Sequence, residues 1–360
     1  MNAKKAIVAV LALAAVVLVT IRLTTTPSSP FTGRPPTASS YAGAPRTLPA
    51  DAVLAIAPGS HASVSPRPVS VLSPALTEFA HAKSYKPLYD RLRPASSRTP
   101  EETWILAKIL EDCSPRPGRP RSDRSPVPED VAVARFAAAL PERDPSRERR
   151  IAAYRDTYVG HCADLKDLQA TPQAIRELLA QAAAGGDPKA VASLVYHDLW
   201  TPFQAMAANN FSMSTAPWPT ISAAQIGDLK HAAESGDPYA LTIAAHTLAG
   251  PFTNLSLQSA QDGRPINVGS FSVAAELVAC DAGYPCGPDA PQIQSGCAYF
   301  GNCDAQTLRE YQFFYGLSPQ SSQRVAQYQA MLEHAVRDHD WSSITFQSAP
   351  APFIAPYVKP

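Results

Sequence analysis

Two stretches of this chain, fifty residues apart, are built to the same plan. Residues 171–199 read TPQAIRELLAQAAAGGDPKAVASLVYHDL, and residues 221–249 read ISAAQIGDLKHAAESGDPYALTIAAHTLA. Ala182, Ala183, Gly186, Asp187, Pro188 and Ala190 align with Ala232, Ala233, Gly236, Asp237, Pro238 and Ala240. Each glycine supplies the left-handed residue that ends a helix. Each aspartate suits the N-cap of the next helix, and each proline its first position. Ile175, Leu178, Leu179 and Ala182 form one apolar stripe, and Val191, Leu194, Val195 and Leu199 form its partner. Each unit is therefore predicted to be an αα-hairpin, with alanines letting its two helices approach closely. The fold class that follows is all-α, a stack of helix pairs over residues 73–345.

The turn sequences AAAGGDPKA and AAESGDPYA resemble the inter-helix turn of Sel1-like repeats, relatives of the tetratricopeptide repeats. A third, degenerate copy is read at ERDPSRERRIAAY, residues 142–154. The spacing departs from the family, whose tetratricopeptide relatives repeat every ~34 residues. The excess lies in TPFQAMAANNFSMSTAPWPT, residues 201–220, read as a loop between the units. The resemblance implies an irregular helical stack, and a scaffold or adaptor whose surface takes a protein or peptide partner.

Other segments carry helix signals of their own. In TPEETWILAKILEDC (99–113), Thr99 is a predicted N-cap, Pro100 the first helical residue and Glu102 the return arm of a capping box. Helices are also predicted over 128–140, 145–162, 272–280, 304–317 and 318–341, with Gly160, Asp304 and Ser318 as caps. Tyr311, Phe314 and Tyr315 share a helical face and are read as a core stripe. SPRPGRPRSDRSPVP (114–128) holds five prolines and four arginines and is read as a solvated loop.

The N-terminus sets the compartment. Lys4 and Lys5 precede 16 uncharged residues, 6–21, which end at Arg22. As a helix this run is about 24 Å long. It is read as a signal anchor in the inner membrane or a cleaved signal peptide (residues 1–26), and no clean A-x-A site follows it. Either way the body is sent to the cell envelope, facing the periplasm or secreted into it. Residues 27–72 are Pro-, Ser- and Thr-rich and read as a disordered spacer. Residues 346–360 read as a flexible tail.

Export bears on the six cysteines. Cys280, Cys286, Cys297 and Cys303 lie within CDAGYPCGPDAPQIQSGCAYFGNC, and Cys113 and Cys162 each close a predicted helix. Zinc sites usually space their ligands C-x2–4-C, narrower than the two C-x5-C gaps here. An even cysteine count in an oxidising compartment favours disulfides over zinc or reactive thiols. Four cysteines allow three pairings; proximity leans toward Cys280 with Cys286 and Cys297 with Cys303. Cys113 with Cys162 would complete the set.

Lys plus Arg and Asp plus Glu both number 31, so the formal net charge is zero, which argues against a nucleic-acid binder. The chain lacks G-x-S-x-G, H-E-x-x-H, a phosphate-binding glycine loop and C-x-x-C, so no catalytic, metal or cofactor-binding residue is assigned. His334 and His339 with Asp338 and Asp340 form the densest titratable cluster and are read as a solvated helix end. His161 beside Cys162 is read as a helix-end residue next to a disulfide rather than a thiol activator. The expected function is an envelope scaffold or adaptor. The rival is a cell-envelope hydrolase whose site is assembled from residues distant in sequence.

Overall fold

Proline opens seven of the thirteen helices that the computed structural model contains among its described residues. Proline's fixed φ and missing N–H suit a first helical turn, where no donor is lost. Residues 71–114, 129–165, 167–208, 219–250 and 254–348 are described, and all belong to one unit, Ser65–Pro360. The apolar run 6–21, nearly all of the spacer, residues 115–128 and 209–218, and the tail from 349 onward lie outside them. Among the described residues no helix is long and apolar enough to cross a membrane.

In chain order the helices are α1 (Pro74–His81), α2 (Lys86–Leu92), α3 (Pro100–Cys113), α4 (Glu129–Ala139), α5 (Arg147–Val159), α6 (Pro172–Ala184), α7 (Pro188–Ala208), α8 (Ala223–Glu234) and α9 (Pro238–Ala249). After strand β1 (Leu255–Ser259) come α10 (Val268–Asp281), α11 (Pro291–Phe300), α12 (Leu308–Tyr311), α13 (Pro319–Asp338) and strand β2 (Ile344–Ser348). The architecture is mostly helical with little strand.

Both Gly-Asp-Pro turns behave as their chemistry requires. Gly186 and Gly236 have φ of 87° and 82°, a region that only glycine enters freely. Asp187 accepts the Ala190 amide at 2.9 Å, and Asp237 accepts those of Tyr239 and Ala240 at 2.8 and 2.9 Å. Helix α6 packs on α7, and α8 on α9. Ala182, Ala190, Ala192, Ala240 and Ala244 are fully buried where these helices meet. The predicted capping box at Thr99 and Glu102 is present.

Two main cores result. One gathers Leu76, Leu88, Trp104, Ile105, Ile109 and Leu179 from α1–α3 and α6. The other gathers Leu229, Leu241, Leu248, Phe271, Leu277 and Leu332 from α8–α10 and α13.

Besides α11, a helix inside the Cys-rich stretch where the sequence reading places none, four local features depart from that reading. The first is β1 and β2, which pair antiparallel with Leu257 opposite Phe346. Each strand alternates apolar and polar side chains, as a half-buried sheet requires. Their short segments lie far apart in the chain, without a hairpin turn to advertise them, and β2 takes residues 346–348 from the predicted tail. Second, the helix expected over 304–317 starts later. Thr307 rather than Asp304 is the N-cap, with Glu310 closing a capping box, and Gln312–Gly316 forms a π-helical turn. Third, that turn breaks the expected aromatic core stripe: Phe314 is 79% exposed and Tyr315 45%. Fourth, α7 continues through Pro202 to Ala208, into the stretch read as a loop.

Tyr311 stays inside, laid against α11. A Cβ placed on Gly296 would sit 2.6 Å from the Tyr311 phenol oxygen. Gly296→Ala is expected to cost about 1–3 kcal/mol through overpacking, read as a lower Tm. Gly227→Ala, inside α8 with open space at the Cβ position, is expected to stabilise by up to about 1 kcal/mol and so gives the opposite sign in the same assay.

Candidate functional site

The six cysteines form three pairs, Cys113–Cys162, Cys280–Cys286 and Cys297–Cys303, with Cα separations of 5.3, 5.6 and 4.3 Å. The first ties the end of α3 to the turn after α5. The second closes a loop before α11, and the third ties the last turn of α11 to the residues after it. Each thiol is consumed by its partner.

Between the first two disulfides runs a line of rings. The His161 ring stacks on Tyr85 at 4.8 Å, and Tyr85 on Phe79 at 4.9 Å. Phe79 meets Trp104 edge-on at 5.9 Å, Trp104 meets Tyr239 at 5.9 Å, and Tyr239 meets Tyr284 at 4.6 Å. Tyr284 lies inside the small ring closed by Cys280 and Cys286, and it packs against both main cores. The disulfide loop therefore presents an aromatic anchor to the helices, each ring pair adding roughly 0.5–1.5 kcal/mol.

Charge gathers beside this line at two points. On α3, Lys108 pairs with Glu111 at 3.2 Å and Asp112 at 2.9 Å. All three side chains keep 16–32% of their surface in solvent. Burial opposes the Lys108 charge, but Asp112 and then Glu111 outweigh it, so its ionisation is raised. The second point is Lys189, 3% exposed, which sits among Asp187 at 3.1 Å, Asp237 at 3.0 Å and Glu101 at 3.2 Å. Its ammonium also lies 5.5 Å over the Trp104 ring. One lysine thus joins the caps of both Gly-Asp-Pro turns to the first turn of α3. Trp104 Nε1 donates to Ser193 Oγ at 2.9 Å, fixing the indole between α3 and α7.

These environments decide what the groups can do. Burial, then Asp112, pushes the Tyr85 phenol up. Burial, then Tyr284, does the same for Tyr239. Burial raises Tyr284, Lys108 opposes it, and Glu276 and Asp112 add to the rise. His197 on α7 is held toward its neutral form by burial. At neutral pH the centre offers neutral hydroxyls and a permanent ammonium.

A phenol raised by folding contributes stability that is complete below its unfolded value near pH 10 and is lost above it. Lys108 and Lys189, also raised, lose their contribution in the same alkaline window. Of the 13 tyrosines, Tyr85, Tyr239 and Tyr284 are expected to ionise only as the helices melt. Absorbance at 295 nm and circular dichroism, followed together from pH 9 to 12, check this. Full ionisation of all tyrosines before helix loss refutes the buried assignment.

The histidines singled out in the sequence are now placed. His161 packs on Tyr85 beside a closed disulfide. His334 lies between Asp338, at 2.6 Å from Nδ1, and Asp340, at 3.3 Å from Nε2. The Arg337 hydrogen bond holds the Asp338 carboxyl down to about 2 against the opposing effect of burial, with His334 adding to the lowering. That group is an exposed charge lattice at the end of α13. His339 turns away from it, toward α8. Sequence reasoning missed Lys189, Trp104 and Tyr284. Their signals were a lysine directly after a Gly-Asp-Pro turn, an indole in a capped helix and a tyrosine inside a C-x5-C ring.

No protein-family model matches the chain, and neither does any curated protein or solved structure.

Proposed function

We propose that the chain is an envelope scaffold or adaptor. It is an irregular Sel1-like stack of helix pairs, carried into the periplasm by residues 6–21 as anchor or signal, that docks a protein or peptide partner. One observation carries this reading. Phe300, within the Cys297–Cys303 ring, and Phe314, on the π turn that follows, are 75% and 79% exposed. Exposed large aromatics on a rigid support are what docking surfaces offer. A photo-crosslinking residue placed at 300 or 314 in living cells is expected to give a discrete adduct, absent when it is placed at Val268. Equal labelling at all three positions overturns the docking reading. Cleavage of cell-wall fragments by the purified chain, abolished in Glu111→Gln, replaces it with the hydrolase.

A further inference from the structure

A cleft of about 580 Å³ opens between α8 and the segment joining α13 to β2, with Lys230, His231, Glu234, His339 and Trp341 on its walls. That volume is in the range of small-molecule sites. Lys230 is half-buried there. Its ammonium lies 4.3 Å from the Phe346 ring centroid and 5.7 Å from that of Trp341. It forms no ion pair among the described residues. Burial lowers its ionisation, and Glu234 only partly offsets this. A partly desolvated charge beside apolar rings gains from an opposite charge delivered to it.

Glu234 is not placed as that partner. Its Oε1 accepts from Trp341 Nε1 at 2.6 Å and its Oε2 from His339 Nδ1 at 2.9 Å. His339 reaches it from a left-handed backbone, φ 53°, the one positive φ outside glycine among the described residues. Glu234 therefore fixes the indole and the imidazole as two walls of the cleft that Lys230 also lines.

We propose that this cleft binds a carboxylate carried on an apolar or aromatic body, with Lys230 as counter-charge and Trp341 as the apolar wall. Lys230 supplies a single counter-charge on the cleft wall and suits a ligand carrying one negative charge. A doubly charged phosphate would meet more repulsion than one lysine offsets. The carboxylate has two possible sources, a free small acid or the C-terminus of a peptide. The inference stands on the cleft alone and does not rest on the adaptor reading.

The test is isothermal titration of the full-length protein with N-acetyl-phenylalanine and with an octapeptide ending in phenylalanine, each as free acid and as amide. The free acid is expected to bind with a Kd of about 1 mM or tighter. The amide and the Lys230→Gln variant are expected to weaken binding at least ~10-fold. Lys230→Arg keeps the charge and retains binding, which separates recognition from misfolding. Binding of both acids identifies an open, C-terminus-reading cleft, and binding of the small acid alone identifies a metabolite-type site. No binding by either acid, equal affinity for the amides, or full affinity in Lys230→Gln overturns the proposal.

Discussion

Replacing Lys189 with methionine is expected to destabilise the protein by about 3–5 kcal/mol, the range for breaking a buried ion pair from one side. Methionine keeps most of the volume but leaves Asp187, Asp237 and Glu101 without their shared cation. Asp187 and Asp237 side chains are only 4% and 18% exposed, so water compensates little. Burial works against the Lys189 charge, and the Asp237 and Asp187 carboxylates outweigh it, raising its ionisation. Asp187 is the cluster's weak member: burial pushes its carboxyl pKa up and disfavours its charged form despite Lys189. Its charge therefore costs stability at neutral pH. Asp187→Asn, which keeps the side-chain oxygen that caps α7, is expected to change stability by less than about 1 kcal/mol. In Lys189→Met the deficit shrinks as pH falls, because the folded Asp187 takes up a proton before the unfolded one does. Urea unfolding at pH 7 and pH 5 reads all three effects. A loss below 1 kcal/mol at pH 7 would show that the cluster does not hold the turns together.

The second large effect belongs to Cys113–Cys162. Its partners are 49 residues apart, and closing a loop of that size is worth about 4 kcal/mol in the chain-entropy account. Cys113→Ser with Cys162→Ser is expected to lose that much. The paired change at Cys280 and Cys286, only 6 apart, is expected to lose about 2 kcal/mol and to loosen Tyr284. Near-ultraviolet circular dichroism separates the two effects: the smaller loop shifts the tyrosine signal more than its stability share implies. Intact mass after thiol alkylation comes first. No label is expected until reductant is added. Immediate labelling of four thiols would remove the case for an oxidising compartment and reopen the metal reading of residues 280–303.

Legibility followed the range of the interaction. N1 prolines, the glycines of both Gly-Asp-Pro turns and most caps depend on three or four neighbouring residues, and they appear where the sequence places them. The Thr307 cap was missed because Asp304, also a capping type, stands three residues earlier. The exposure of Phe314 was missed because helical periodicity assumes an α-turn, and the π turn at Gln312–Gly316 rotates the following side chains off the expected stripe.

The sequence by itself determined the helix pairs, their turns and the unusual number of proline starts, because these are local backbone choices. Only the tertiary structure decided that Lys189 serves three carboxylates, that six rings line up from His161 to Tyr284, and that Lys230 lines an open cleft. Those outcomes depend on which helices meet and on how far each charge is withdrawn from water, and neither quantity is written in any short stretch of chain.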